Sequence, residues 1–181
     1  DEHRHYAETG IQVMPINTLF QLYSMKQNND VQLRVADKLL FMPDLFSYFL
    51  TGTANNEYCI ASTSELLDAC QRNWSDNLIS ELGLPRHLFG DIVLPGTIRG
   101  KLKQEIADET GLGCIDVVAV GSHDTASAVF AVPSNEPDRA YLSNCPDRAG
   151  IYHNHMDNAD QICHADQFQK RQQHGYAIGC D

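Results

Sequence analysis

The chain has 181 residues, of which 43% are hydrophobic and 20% charged, a composition typical of a soluble globular domain and unlike that of disordered proteins. Thirteen basic and 24 acidic residues give a formal net charge of −11. This charge argues against nucleic acid and anionic membranes as partners, since binding to either depends on cationic side chains. The longest apolar stretch, Leu39 to Leu50, is interrupted by Pro43, Asp44 and Ser47, so the sequence predicts no membrane span.

The cysteines and the N-terminus bear on the cellular compartment. Six cysteines are too few for a disulfide scaffold and include no Cys-x-x-Cys spacing, so we expect free thiols and a cytoplasmic protein. The polar start, Asp1 to His5, has no signal-peptide pattern. The first residue is not methionine, and we expect the chain to be a piece of a longer protein.

The composition changes sharply near residue 143. Residues 1–143 contain 17 Leu and 9 Val, whereas residues 144–181 contain neither and hold five Gln, four His and three Cys. The second segment has no helical or strand period. We therefore expect a folded region up to residue 143 and a divergent, disordered tail at 144–181, translated out of frame or otherwise replaced. The coding DNA tests that hypothesis.

Hydrophobic periodicity predicts helices in most of the first segment. Pro43 suits a first helical turn, Ser75 suits an N-cap, and glycines at 52, 83 and 111 mark helix ends. These signals predict helices over residues 17–27, 32–41, 43–50, 62–70, 76–82 and 101–110, with a proline- and glycine-bounded connection at 92–100. The expected fold class is therefore α/β, mostly helical with one strong strand.

The most informative stretch is IDVVAVGSHDTASAVFA, residues 115–131. Three valines between positions 117 and 120 form a nearly continuous apolar run, which predicts a strand buried on both faces. A glycine and a serine end this run, and small residues at helical spacing follow. We therefore expect His123 and Asp124 at a strand-to-helix turn. In open α/β sheets, ligands bind at the carboxyl ends of the strands.

Asp124 offers specific chemistry at such a turn. A carboxylate at a helix N-terminus interacts favourably with backbone N–H groups and the helix dipole, and it can accept a proton from a substrate hydroxyl. The neighbouring His123 can hydrogen-bond another hydroxyl. The alternative role for Asp124 is that of an ordinary helix cap. A triad of Ser122, His123 and Asp124 is rejected, because adjacent side chains point in different directions.

Four groups of sequence blocks, taken in order, carry a resemblance to a known family. They are TGIQ (9–12) with PINTL (15–19), ADKLLFMPD (36–44) with YFLTG (48–52), NEY (56–58) with AST (61–63), and GSHDTASA (121–128). Each block alone is weak, but their order and spacing over residues 1–143 are specific. The segment resembles the middle of the sugar kinases of the FGGY family, and within it the rhamnulokinase branch.

The resemblance implies a partial actin-like (ribonuclease H-like) ATPase fold, comprising mostly the helical and last-strand portion of the first kinase domain. Residues 1–134 then belong to the N-terminal kinase domain and residues 135–143 begin the C-terminal one. The resemblance also implies that the intact protein transfers the γ-phosphate of ATP to O1 of L-rhamnulose or a related ketose, with Mg²⁺. In the family's Ser-His-Asp-Thr block the aspartate is the catalytic base and the histidine contacts the sugar; these correspond to Asp124 and His123. No residue is assigned to ATP or to a metal.

The sequence departs from the family pattern after a predicted strand, Arg139 to Leu142. There the family continues with Ser-Ser-Gly-Thr-Trp-Ser, a turn that faces the ATP phosphates, whereas this chain has SNCPD at 143–147. Cys145 and Pro146 supply neither the close backbone approach of glycine nor the hydroxyl of threonine. The family's opening strand and phosphate loop lie upstream of this chain. We therefore expect this chain alone to be inactive.

Two alternatives remain open at this point. One is a non-catalytic truncated or frameshifted product with residual sugar binding. The other is a metal-binding module built on the tail, although its candidate ligands fit no zinc template; they are Cys145, His153, His155, Cys163, His164, His174 and Cys180. The main concentration of basic residues is predicted to cover a solvated helix start rather than to bind phosphate; it comprises Arg86, Arg99, Lys101 and Lys103.

Overall fold

A computed structural model describes residues 1–131, 139–145 and 148–154 of the chain. The helices in this part are α1 (Glu2–Thr9), α2 (Thr18–Gln27), α3 (Val31–Val35), α4 (Met42–Thr51), α5 (Tyr58–Ser62), α6 (Asp76–Glu81), α7 (Gln104–Thr110) and α8 (Asp124–Phe130). A short 3-10 turn spans Arg86–Leu88. Within the described residues no helix has both the length and the apolar character needed to cross a membrane.

The strands are short and form pairs. They are β1 (Asn56–Glu57), β2 (Leu67–Asp68), β3 (Asn73–Trp74), β4 (Ile92–Val93), β5 (Ile98–Lys101), β6 (Asp116–Val118), β7 (Arg139–Cys145) and β8 (Arg148–Asn154). β1 and β4 are parallel, whereas β2–β3, β5–β6 and β7–β8 are antiparallel. The register between β5 and β6 shifts once, between Ile98 and Gly100.

The core lies between α2, α5, α6 and the segment around the 3-10 turn. Its buried members are mostly leucines, from these elements and from α3 and β2, together with aromatic residues and smaller apolar side chains. Trp74 is buried in this core, with its ring 5.0 Å from that of Phe89 in an edge-on arrangement. The indole N–H of Trp74 donates to the backbone oxygen of Gly90 at 2.7 Å. The aromatic pair therefore has both the packing and the hydrogen bond that a buried indole requires.

Helices with a local stop signal form where the sequence predicts them. α4 carries Pro43 in its first turn and ends at Gly52, which has a φ of 80° that suits glycine. α6 is capped by Ser75, whose side chain accepts from the backbone N–H of Leu78. α7 ends at Gly111 as predicted, but it begins at Gln104 rather than at residue 101, because Lys101 belongs to β5.

Two helix predictions are wrong in extent. The predicted helix 32–41 ends at Val35, because Ala36 is extended and the N–H of Leu39 donates to Leu88 O at 2.8 Å. The predicted helix 62–70 is replaced by a turn and the β2–β3 pair, and Glu65 in that turn has a φ of 64°. In both segments, hydrogen bonds to distant parts of the chain replace those of a helix.

The strand after residue 115 forms, but it is not buried on both faces as predicted. Within the described residues β6 pairs with β5 alone, and Val118 and Val120 are 46% and 66% exposed. One antiparallel neighbour and the contact with α4 leave much of this strand uncovered. The expected burial requires neighbours on both faces, as in a larger parallel sheet.

The C-terminal region differs from the prediction in one further respect. The strand predicted from Arg139 to Leu142 extends to Cys145, and it pairs with β8, which lies inside the segment where the sequence shows no strand period. Residues 132–138, 146–147 and 155–181 lie outside the described residues, so the expectation of a disordered tail stays a prediction there.

The prediction of free thiols is wrong for two of the cysteines. Cys59 and Cys70 are each disulfide-bonded, whereas Cys114 is a free, exposed thiol. Sequence spacing without a Cys-x-x-Cys pair did not reveal this, because disulfide formation depends on the distance between residues in the fold.

Candidate functional site

The turn between β6 and α8 is fixed at both ends by hydrogen bonds. Before the turn, Ala119 donates its N–H to Thr97 O and accepts from Gly96 N–H, both at 2.8 Å. After it, Ser127 donates its backbone N–H to His123 O at 3.0 Å and its hydroxyl to the backbone oxygen of Gly121. The chain therefore changes from strand to helix over residues 119–123, as the sequence predicts.

His123 and Asp124 lie next to each other at the end of this turn. Asp124 is in the first turn of α8, and its side chain is 83% exposed. The His123 side chain is 15% exposed, and its Nδ1 lies 3.2 Å from Asp124 Oδ1. Because the exposed carboxylate and the largely buried imidazole are adjacent, both can contact a ligand that binds at this turn.

Ser122 does not join these two residues in a nucleophilic triad. Its hydroxyl donates to Glu57 Oε2 at 2.5 Å, and its backbone N–H donates to the same oxygen at 3.1 Å. The Ser122 side chain therefore points to Glu57, away from the position that a triad would require. This agrees with the rejection of the triad from sequence.

Glu57 is the residue that the sequence analysis missed at this turn. It is completely buried at the end of β1, and its carboxylate also accepts from the backbone N–H groups of Cys59 and Ile60, so it caps α5. The signal for Glu57 was present in the NEY block of the family resemblance. Its contact with Ser122 spans 65 positions of sequence, which no local pattern reveals.

A buried ion pair holds the backbone of Glu57 from the other side. Asp44 Oδ1 accepts from the backbone N–H of Glu57 at 3.0 Å and from Arg99 Nη1 at 2.9 Å, and Asp44 Oδ2 accepts from the Asn56 amide at 3.1 Å. Arg99 also donates to the side chain and the backbone oxygen of Asn55. A buried charged pair with all these hydrogen bonds satisfied is tolerated in a protein interior.

Arg99 corrects one sequence expectation. It is 5% exposed and buried against α4, and thus does not belong to a solvated helix start. Its guanidinium has a planar fork of donors, which suits the several oxygens that surround it. Asp44 was expected to favour the N-terminus of α4; the structure places it in the first turn of that helix, where it also pairs with Arg99.

A separate open cavity of about 530 Å³ lies between α1, α2 and α6. Its lining includes buried Glu65 beside His5 Nε2 at 3.0 Å, and the exposed pair of Arg4 and Glu81 at 2.6 Å. The hydrogen bond and the charge of Glu81 raise the pKa of Arg4 above its ordinary value. No residue of the turn at 119–124 lines this cavity, so it is distinct from the region of Asp124.

The described part of the chain contains no group of three or more histidine, cysteine, aspartate or glutamate residues that could hold a metal ion. Of the tail residues considered as zinc ligands, only the backbones of Cys145 and His153 are described, in β7 and β8. His155, Cys163, His164, His174 and Cys180 lie outside the described residues.

Comparison with known sequences identifies relatives of most of this chain, and residues 1–131 match a family model. The family is that of the FGGY carbohydrate kinases, and the match is to its N-terminal domain. A rhamnulokinase of Bacteroides thetaiotaomicron is 49% identical over 139 residues, which cover 77% of this chain and 29% of the relative. A rhamnulokinase of Halalkalibacterium halodurans is 40% identical over 141 residues, covering 78% and 30%. The matched part thus spans somewhat under a third of these curated relatives.

Solved structures show the same fold. A xylulose kinase from Rhodospirillum rubrum has a TM-score of 0.72 at 18% identity, over 84% of this chain and 31% of that one. A carbohydrate kinase from Novosphingobium aromaticivorans has a TM-score of 0.68 at 25% identity, over 87% and 34%. The expected α/β class and the partial actin-like fold are confirmed by these matches.

Proposed function

Since this chain belongs to the FGGY family of carbohydrate kinases, we propose that it is the part of a sugar kinase that contacts the sugar and carries the base for phosphoryl transfer. The observation that carries this proposal is the geometry of the 119–124 turn. There an exposed carboxylate and a nearly buried imidazole lie side by side, after a strand and at the start of a helix.

In the proposed reaction, Asp124 is the catalytic base. Its carboxylate accepts the proton of a sugar hydroxyl while the hydroxyl oxygen forms a bond to the γ-phosphorus of ATP. The bond from that phosphorus to the bridging oxygen breaks, and ADP leaves with the bonding electrons. Such reactions depend mainly on positioning and on charge stabilisation. The exposure of Asp124 supports this role, because a sugar can reach its oxygens.

His123 is the proposed sugar contact. Its Nδ1 lies beside Asp124 Oδ1, so a hydroxyl that approaches the carboxylate also comes within reach of the imidazole. The proposed substrate is L-rhamnulose or a related ketose, phosphorylated at O1. Relatives named rhamnulokinase at 38% to 49% identity support this choice over other sugars.

ATP with Mg²⁺ is the proposed phosphoryl donor of the complete kinase. Mg²⁺ neutralises phosphate charge in such enzymes. The described residues offer no cluster of metal-ligating side chains, so we assign no step to the metal here. We also propose that this chain alone has no turnover, because the glycine and threonine of the family's phosphate turn are replaced at Cys145 and Pro146. The cytoplasmic location also stays a prediction.

The role of Asp124 is tested by Asp124→Asn in a complete kinase that carries residues 1–131 of this chain. We expect kcat with L-rhamnulose to fall by ~10²–10⁴-fold, the usual contribution of a general base. Asp108→Asn is the matched control, since Asp108 is an exposed aspartate in α7, and it leaves kcat unchanged. A kcat for Asp124→Asn within a few-fold of the parent value contradicts the proposal.

The inactivity of this chain alone is tested by a coupled ADP-release assay on the purified 181-residue protein. We expect no release above background when L-rhamnulose is added with ATP and Mg²⁺. A turnover near the usual kinase range of ~1–100 s⁻¹ contradicts this expectation. It would show that the residues at 143–147 do not prevent phosphate binding.

A further inference from the structure

The carboxylate of Glu57 joins two parts of the domain that are far apart in sequence. It accepts four hydrogen bonds, two from within α5 and two from Ser122. The local donors are the N–H groups of Cys59 and Ile60, at 2.7 and 3.2 Å. The distant donors are the N–H and the hydroxyl of Ser122, at 3.1 and 2.5 Å. All four partners of the carboxylate are hydrogen-bond donors, so this position suits a side chain whose polar atoms are all acceptors.

Glu57 is itself held in place on its backbone side. Its N–H donates to Asp44 Oδ1, which is bound at the same time by Arg99. Its strand, β1, pairs in parallel with β4, where Glu57 lies opposite Val93. The carboxylate thus projects from a fixed and completely buried point towards the turn.

Ser122 is the point at which this anchor reaches the candidate site. It lies immediately before His123 and two residues before Asp124. Ser127 of α8 also bonds to this turn, through the backbone oxygens of Gly121 and His123. The bonds from Ser122 to Glu57 connect the His123–Asp124 turn to β1 and α5, immediately before α8 begins at Asp124.

We propose that Glu57 is a positioning residue that acts through Ser122 to hold His123 and Asp124 in their reactive orientation. This inference rests on the proposed function of Asp124. Glu57 is buried and does not contact the sugar or the phosphate. It fixes the backbone of Ser122, and through it the direction in which the Asp124 carboxylate faces the incoming hydroxyl. Small displacements of a catalytic group lower the rate strongly, by ~10²-fold for about 1 Å.

The proposed effect is on the chemical step more than on binding. A displaced base leaves ATP binding intact, because neither Glu57 nor Ser122 is assigned to the nucleotide. Glu57→Gln retains the size of the side chain but turns an NH₂ group towards one of the donors. We expect kcat to fall by ~10–100-fold, with the KM for ATP unchanged and the KM for L-rhamnulose raised by a few-fold at most.

The first experiment measures amide hydrogen exchange of Ser122 by NMR in the 181-residue chain. In Glu57→Gln we expect its exchange to accelerate by on the order of 10-fold, which corresponds to the loss of one hydrogen bond. The matched control is Glu65→Gln. Glu65 is equally buried and also accepts from both backbone and side-chain donors, but none of them is in the turn. Equal exchange at Ser122 in all three proteins overturns the proposal.

The second experiment measures kinetics in a complete kinase that carries residues 1–131 of this chain. Glu57→Gln and Ser122→Ala are each expected to lower kcat, whereas Ser122→Thr, which keeps the hydroxyl, restores most of it. The double variant should cost no more than Glu57→Gln alone, since the two residues act through one contact. Additive losses, or a kcat for Ser122→Ala equal to that of the parent, overturn the proposal even if Glu57→Gln fails to fold.

Asp124→Asn in the same kinase separates this inference from the proposed function. If Asp124→Asn retains its kcat, the assignment of the base fails, and the positioning role fails with it. If Asp124→Asn loses turnover while Glu57→Gln and Ser122→Ala retain theirs, the positioning role alone fails. Loss of kcat in Asp124→Asn, Glu57→Gln and Ser122→Ala, with Glu65→Gln retaining its kcat, supports both the assignment of the base and the positioning role.

Discussion

Two buried glutamates, Glu57 and Glu65, hold this domain together in different places and with different consequences. Both are completely buried, and both carboxylates accept hydrogen bonds from backbone and side-chain donors. Glu57 connects β1 and α5 to the turn that carries His123 and Asp124. Glu65 connects α1 to the start of α2, through His5, the N–H of Met14 and Asn17.

Burial and hydrogen bonding of a carboxylate do not by themselves indicate a functional role. Each glutamate satisfies the requirement that a buried polar group be paired. The two glutamates differ in the part of the molecule that their hydrogen-bond donors belong to. The donors to Glu65 fix the packing of α1 against α2, whereas the Ser122 donors to Glu57 fix the orientation of the candidate base.

The largest expected effect on stability is that of Asp44→Ala, on the Glu57 side. It leaves the Glu57 N–H without its acceptor, and it removes one acceptor each from Arg99 and from the Asn56 side-chain amide, which keep their bonds to Asn55 and to Leu39 O. Breaking a buried ion pair in this way costs about 3–5 kcal/mol. Urea unfolding measures the change, and Lys101→Ala, which removes an exposed ion pair with Asp116, is the control. Equal effects of the two variants would contradict the importance assigned to the buried pair.

Glu65→Gln is expected to destabilise the chain less, by about 1–3 kcal/mol, since a buried donor then faces an NH₂ group instead of an oxygen. Exchange of the Met14 amide should accelerate, because this N–H donates to Glu65 Oε1. Exchange of the Ser122 amide should not change. Faster exchange at Ser122 would remove the distinction between the two glutamates.

Ser75→Ala tests a second contact of α1, the helix that Glu65 also contacts through His5. Ser75 caps α6, accepting from the N–H of Leu78 at 3.0 Å, and it donates its hydroxyl to Glu8 of α1. Loss of a serine N-cap usually costs about 1 kcal/mol. We expect a loss of this size in urea unfolding, with the kcat of the complete kinase unaltered. A fall in kcat would show that the α1–α6 contact also controls the site.

The smallest effect is expected for Arg4→Ala at the rim of the cavity. Its ion pair with Glu81 is exposed on both sides, and such pairs contribute little because water screens them. Thermal unfolding of the variant and the parent should coincide within error. A clear loss of stability would mean that this exposed ion pair at the rim contributes more to stability than the buried Glu65 beside it.

Much of the helical structure followed from local signals. Gly52 and Gly111 end their helices in the left-handed conformation, and Ser75 begins one, all by hydrogen bonds within a few residues. The His123–Asp124 turn was predictable for the same reason, since a valine run, a glycine and small residues follow one another directly. The predictions failed at Ala36 and Glu65, where the backbone leaves the helix to meet distant donors and acceptors.

The candidate site was likewise predictable only in its local features. The family, the turn and the two candidate residues on it were predictable from the sequence, because these depend on neighbouring residues and on motif order. The burial of Arg99 with Asp44, and the bonds between Glu57 and Ser122 across 65 positions, are visible only in the folded chain. Hydrogen bonds act over about 3 Å of space regardless of separation along the chain, so residues that are remote in sequence become partners only when the fold brings them together.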